Sequence, residues 1–391
     1  MSCLQESIEQ NKKCEKEIFP PLTFSEKCVK LKTNGWFVFF YNRRMNMDDS
    51  KGIGSLQELE EVLATPPEKL VKMMKRLEGD LMILGIGGKI GVSLGLQAAE
   101  AVRLSGVPRK IYGVSRFSKR EEREKLEAAG IITISCDLME REQVNHLPQV
   151  RNVIFMAGRK FGTEGSEPET WAMNVIVPSL VAEHFRSSRI VVFSTGCVYP
   201  MRSVLEGGCT EETSPSPIGE YSQSCLGRER IFQYYAQKYG TEILLFRLNY
   251  AVDLRYGVLD DIGRAIWEGR PVNNTVGYFN VIWQGDVTAN ALLSLELAGN
   301  PCQILNVTGP ETASVQDTAL LMGKLMGREV LFSCDKAGDC SFLNNAGKMC
   351  RLLGYPSVSL EEMIHLQAAW IANGGISIGK PTHFEINNGK F

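Results

Sequence analysis

Residues 81–91 read LMILGIGGKIG, and this stretch decides the fold. Four apolar residues of strand length run into a turn with glycines at 85, 88 and 91, and QAAEAV at 97–102 continues as a helix. A dinucleotide pyrophosphate needs that arrangement: a tight turn, a main chain it can approach closely, and a helix amino terminus whose free N–H groups face the anion. A glycine triplet alone means little, but a strand before it and a helix after it give it meaning. Gly85, Gly88, Lys89, Ile90 and Gly91 are therefore the candidate phosphate-binding residues.

Working outward, further apolar runs of strand length lie at Ile111–Val114, Ile131–Ile134, Val153–Met156, Ile190–Phe193 and Ile243–Phe246, most of them separated by helical stretches. Short buried strands alternating with helices imply a parallel sheet covered on both faces. The expected class is α/β, a Rossmann-type doubly wound parallel sheet with a smaller C-terminal substrate-binding region. The alternation loosens after about residue 250. Helices are expected near Asp261–Glu268, Val287–Leu297, Val315–Met326 and Leu360–Asn373, with a strand near Ile304–Val307. Ahead of the sheet, SLQE at 55–58 is a capping-box pattern, and TPPE at 65–68 places a cap before a proline at a helix start. The expected organisation is an N-terminal extension over 1–54, a helical lead-in over 55–79, a dinucleotide-binding domain over 80–250, a mainly substrate-binding or lid region over 251–375 and a tail over 376–391.

The chain has 391 residues, 44% hydrophobic and 23% charged, which is ordinary for a folded protein. Lys+Arg 43 against Asp+Glu 45 leaves a net charge of −2 and no general attraction to nucleic acid or anionic membrane. The longest apolar run is the six residues Trp36–Tyr41, far short of the ~20 a membrane span needs. Eleven cysteines without a Cys-x-x-Cys pair fit a reducing, cytoplasmic setting, and four histidines show no zinc-ligand spacing, so no metal is expected.

The second strand ends in Ser115-Arg116. An arginine there, in place of the acid usual for NAD, suits a 2′-phosphate and favours NADP over NAD. Asp137, followed by Leu138 after the third strand, is placed to hydrogen-bond an adenine amino group, or is simply a loop acid.

Further stretches carry a resemblance. FMAGRKFG at 155–162 contains Ala157, Gly158 and Lys160, and is followed by WAMNV with Asn174. FSTGCVY at 193–199 contains Thr195, and GEYSQSCLGRER at 219–230 contains Tyr221, Cys225 and Arg228. With LNVTG at 305–309 and LLGY at 352–355, these resemble the extended short-chain dehydrogenase/reductase superfamily, the NAD(P)-dependent epimerase/dehydratases, over about residues 80–375. The resemblance implies that Tyr221 is the acid/base, that Thr195 holds the substrate oxygen, and that Lys160 and Asn174 belong to the inner site, where a lysine contacts cofactor and an asparagine joins the hydrogen-bond network. It also implies a homodimer. A phenol at an alcohol carbon can take or give a proton while nicotinamide moves a hydride.

Three departures stand out. The family lysine four residues after the tyrosine is Cys225, which leaves the phenol without its usual cation; Arg228, at i+7, or Lys160 is the expected replacement. Nucleotide-sugar members carry an arginine seven residues before the Asp286 position, and Phe279 stands there. Asn249 falls one place early in RLNY at 247–250. These shifts weaken the case for a nucleotide sugar, and Arg255, Arg264 and Arg270 are candidates for another anion site. Val204–Glu220 reads as a loop bordering the substrate, with Cys197 and Cys209 as buried small side chains. The expected activity is oxidation, or transient oxidation, of a secondary alcohol on a sugar-like or sugar-acid substrate. Net oxidation, epimerisation and dehydration stay open. The rival expectation is a non-catalytic NADP(H)-binding sensor or scaffold.

Overall fold

The computed structural model describes residues 52–160, 162–386 and 389. The extension expected over 1–54 lies almost wholly outside the described residues.

The lead-in forms two helices, Leu56–Ala64 and Glu68–Arg76. Ser55 caps the first by accepting from the Glu58 N–H at 3.1 Å, but the Glu58 carboxylate reaches back to the N–H of Gly54 at 2.9 Å, one residue earlier than a reciprocal capping box requires. Thr65 does not cap the second helix. It closes the first, where its N–H bonds the Val62 carbonyl and its hydroxyl bonds the Glu61 carbonyl, and Pro67 precedes the second without a side-chain cap.

Seven strands form the central sheet: β1 Leu81–Leu84, β2 Ile111–Ser115, β3 Ile132–Ser135, β4 Asn152–Phe155, β5 Arg189–Thr195, β6 Glu242–Leu248 and β7 Gln303–Val307. Their spatial order is β7-β6-β5-β4-β1-β2-β3, and every pair is parallel. The order reverses between β1 and β4, the switch point at which open α/β sheets bind ligands beyond their strand ends. β1 and β4 are buried at every residue, while the edge strand β3 exposes both ends.

Alternate residues of each strand feed opposite layers. Leu81, Ile83, Ile154, Val191 and Phe246 pack under the helices Glu68–Arg76, Gly91–Ser105 and Gln284–Leu293. Met82, Leu84, Val153, Phe155 and Val192 pack on the other side under Val177–His184 and Gly219–Tyr239. A third core joins Val258–Trp267, Val315–Met326 and Leu360–Ala372 with Leu59 and Leu63 of the lead-in. The lead-in thus serves two cores, its first helix the C-terminal one and its second the sheet.

Residue 250 is not a clean border. Ile282, Val287, Leu292, Leu305 and Met349 return to the core of the sheet, and β7 is its outer strand. The helix expected from Asp261 begins earlier, at Val258, and the one expected over 287–297 is an α-helix, Gln284–Leu293, ending in a 3₁₀ turn, Ser294–Leu297.

Candidate active site

The glycine turn leaves β1 at the switch point. Gly85 has φ +90°, a conformation L side chains rarely adopt, and a Cβ there would stand 2.8 Å from the Ala157 nitrogen beyond β4. A Cβ on Gly91 would stand 2.3 Å from the Ile86 carbonyl oxygen, so the helix packs directly on its own turn. Two turn bonds, Gly88 N–H to Gly85 O at 3.1 Å and Gly91 N–H to Gly88 O at 3.0 Å, fold the loop, and no side chain caps the helix Gly91–Ser105. An uncapped helix start behind a glycine cradle fits a phosphate group.

At the next strand end, Ser115 lies against Gly87, where a Cβ would meet its Oγ at 2.6 Å. Arg116 is largely exposed and stands 3.9 Å from Asp137. Asp137 accepts from the Met139 N–H at 3.0 Å, and Leu138 is buried beside it.

The inner end gathers side chains from distant segments. Thr195 ends β5; its hydroxyl oxygen accepts from the Cys197 N–H at 3.2 Å and keeps its own proton to donate. Tyr221 and Cys225 lie one turn apart on the helix Gly219–Tyr239 and pack in one small cluster with Val198, Tyr199 and Cys209. Burial pushes the Tyr221 phenol well above its usual range, and the Cys225 and Cys197 thiols push it further; Arg228 pulls the other way. Burial likewise raises the Cys225 thiol. The Arg228 cation is near, but it does not by itself hold the phenol acidic.

Arg228 is buried, donating to the Phe193 carbonyl at 2.8 Å and to Asn174 Oδ1 at 2.6 Å. It runs beneath Gly158, where a Cβ would clash with its guanidinium at 2.5 Å. Asn174 sits in a π-helical turn, Ala172–Ile176. Its oxygen also accepts from the Arg159 N–H, and its amide donates to the Arg159 carbonyl and to Ser224. These bonds use the amide's whole capacity and tie Asn174 to Arg228 and the β4 loop.

Lys160 Nζ lies 6.0 Å from the Tyr221 ring centre and donates to the Thr382 carbonyl at 3.2 Å. Burial depresses its ammonium. Lys89 leaves the glycine turn and lies over the Tyr256 ring, 3.4 Å from its centre. Burial, then the neighbouring Lys380 and Lys160, bring its ammonium down to about 8. Its main chain belongs to the phosphate turn, while its side chain faces the opposite end of the site.

Several features escaped the sequence. Tyr250 has φ +42°, a strained conformation for a bulky residue, and its buried phenol is pushed up beside Cys197, Glu385, Tyr256 and Asp261. The signal was its place in RLNY, where the displaced Asn249 instead bonds Asn280 at 2.7 Å. Behind Thr195, Glu229 pairs with both ends of the Arg247 guanidinium at 2.6 and 2.9 Å and accepts from Ser194; Arg247 also bonds Tyr199. The three arginines expected as an anion site are held by their own neighbours: Arg255 by Asp253, Arg264 by Asp260, Arg270 by Glu268. Each folds onto a carboxylate two or four residues away, which neutralises it locally.

Residues 81–252 match the model of the NAD dependent epimerase/dehydratase family. No curated protein matches the sequence. Solved structures of that kind share the fold. UDP-glucose 4-epimerase of Thermotoga maritima with UDP-glucose is 18% identical, with a TM-score of 0.60 over 75% of this chain and 99% of its own. UDP-glucuronic acid 4-epimerase of Bacillus cereus, as a mutant with a fluorinated UDP-sugar and NAD, is 16% identical, with a TM-score of 0.61 over 75% and 98%. UDP-glucose 4-epimerase of Thermus thermophilus with NAD is 19% identical, with a TM-score of 0.61 over 74% and 98%. Among the described residues, no helix is long and apolar enough to cross a membrane.

Proposed function

We propose that this chain is a nicotinamide-nucleotide-dependent enzyme that oxidises, finally or transiently, a secondary alcohol of a sugar-like or sugar-acid substrate. The observation that carries it is the glycine turn at the switch point, where a Cβ at Gly85 or Gly91 would strike main chain and the following helix start is uncapped. The dinucleotide would be held by Gly85, Gly88, Ile90, Gly91 and the main chain of Lys89, by Ser115 and Arg116, by Asp137 and Leu138, and by Ala157, Gly158, Lys160 and Tyr221. When bound, it supplies a hydride acceptor. Arg116 argues for NADP over NAD, because an exposed guanidinium 3.9 Å from Asp137 has room for a 2′-phosphate.

Thr195 donates to the substrate oxygen, and Tyr221 takes its proton. Burial holds the phenol high, Arg228 pulls it down, and Lys160 Nζ lies 6.0 Å from its ring centre. Arg228 and Lys160 thereby stand in for the ammonium that Cys225 cannot supply. The helix carrying Tyr221 is also the proposed dimer contact.

Calorimetry with NAD, NADH, NADP and NADPH tests the reading; no heat with any of the four would sink it. The raised phenol favours one other reading, a sensor that binds NADP(H) without chemistry. Cys225→Lys separates the two: a strong gain of turnover marks a decayed site, and a loss marks an adapted one.

A further inference from the structure

The tail after the last helix crosses the inner site. It leaves at Gly375, whose carbonyl accepts from Arg264 at 2.7 Å, and Ser377 donates to Asp260 at 2.6 Å. At Thr382 both the N–H and the hydroxyl donate to one oxygen of Asp261, at 2.8 and 2.5 Å, while the carbonyl accepts from Lys160. Phe384 is buried edge-on against Phe279, with ring centres 6.4 Å apart. The Glu385 carboxylate acts electrostatically on both Lys160 and Tyr250. Gly389 then packs main chain to main chain on Ile218-Gly219, two residues before Tyr221; a Cβ on either glycine would stand 2.2–2.4 Å from the other segment's carbonyl oxygen.

We infer that this strap, residues 376–386 together with Gly389, is a fixed wall of the substrate side and restricts the site to a small hydroxylated substrate with no nucleoside diphosphate. The inference rests on the function proposed above and names its substrate class. A nucleoside diphosphate needs cations or N–H donors for its phosphates and an open path for its length. Here the chain's own tail holds Lys160 by a main-chain carbonyl and sets a buried phenylalanine against Phe279. The flanking cations Arg255, Arg264 and Arg270 are each held by a carboxylate. The solved structures that hold UDP-sugars are only 16–18% identical to this chain, so the shared fold does not carry their substrate over. The strap anchors at four separate points along its length, as a wall does.

The test uses the full chain, the chain lacking residues 381–391, and Phe384→Ala. UDP, titrated by calorimetry, is expected to give no heat with the full chain up to millimolar concentration. A micromolar dissociation constant overturns the inference, and this reading needs no turnover. With free sugars, polyols and sugar acids, both variants are expected to raise KM at least tenfold, and Phe384→Ala is expected to keep the affinity for nicotinamide nucleotide within twofold. Unchanged KM in both overturns the inference. Failure of the parent reading shows separately, as absent nicotinamide nucleotide binding in the same calorimeter.

Discussion

The two ends of the candidate site are built by opposite means. The phosphate end is main chain from seven consecutive residues, 85–91, closed by two turn bonds and shaped by missing side chains. The inner end is side chain, drawn from β5, the β4 loop, the Tyr221 helix, the segment after β6 and the tail. A site made of contiguous backbone is fixed by local chemistry. A site made of converging side chains depends on every element that carries them, and here it carries the departures: Cys225, Tyr250 and the strap.

The sharpest way to break the comparison is at Tyr221. Tyr221→Phe is expected to lower turnover by about 10³-fold, within the usual range for removing an acid/base group. If turnover persists, the inner end is not where the chemistry occurs.

The support behind that end comes next. Glu229→Gln leaves a buried guanidinium without its charge partner and is expected to destabilise the fold by about 3–5 kcal/mol in denaturant unfolding. A loss under 1 kcal/mol would show that the network is incidental to the placement of Thr195.

Third are the substitute cations. Arg228→Ala and Lys160→Ala are each expected to lower turnover about tenfold or more and to move the acid limb of the pH–rate profile, where the base loses its proton, to higher pH, since each ammonium or guanidinium favours the phenolate. Unchanged rates in both would end the substitution argument.

The strap anchor supplies a pH test. Burial holds the Asp261 carboxyl up at about 6, above its ordinary value of 3.8, so its proton is bound more tightly in the folded state. Its contribution to stability is complete below about 3.8 and is lost as pH rises through about 6. Wild type minus Asp261→Asn, compared by thermal unfolding, should therefore show relative stability falling between pH 4 and 7; a flat difference contradicts the raised pKa.

The smallest effect belongs to the exposed rim of the phosphate end. Arg116→Ala is expected to weaken NADPH binding about fivefold and leave NADH unchanged, because an exposed guanidinium gives only about 1 kcal/mol to a phosphate. Equal losses for both nucleotides would assign Arg116 to general affinity and remove the preference for NADP.

What could be read ahead of the structure follows the same division. The strands, the glycine turn and the parallel sheet were legible because period, glycine spacing and strand length act within a few residues. Thr195, Tyr221, Asn174 and Arg228 became candidates only through resemblance. The structure adds that the Asn174 amide is spent on the protein, which no spacing reveals. The three candidate arginines failed as an anion site because pairing with Asp253, Asp260 and Glu268 depends on side-chain direction, which a list of charges does not carry.

By itself, the amino-acid order determined a buried parallel sheet opening into a glycine cradle, since hydrophobic alternation and backbone freedom are local properties of the chain. Only the tertiary structure decided that residues 376–386 return across Lys160, that Gly389 packs on Gly219, and that the lead-in helices split between two cores. Such contacts join segments far apart in sequence, 222 residues apart for Lys160 and Thr382. Their energy comes from burial and hydrogen bonds formed on folding, which no local pattern encodes.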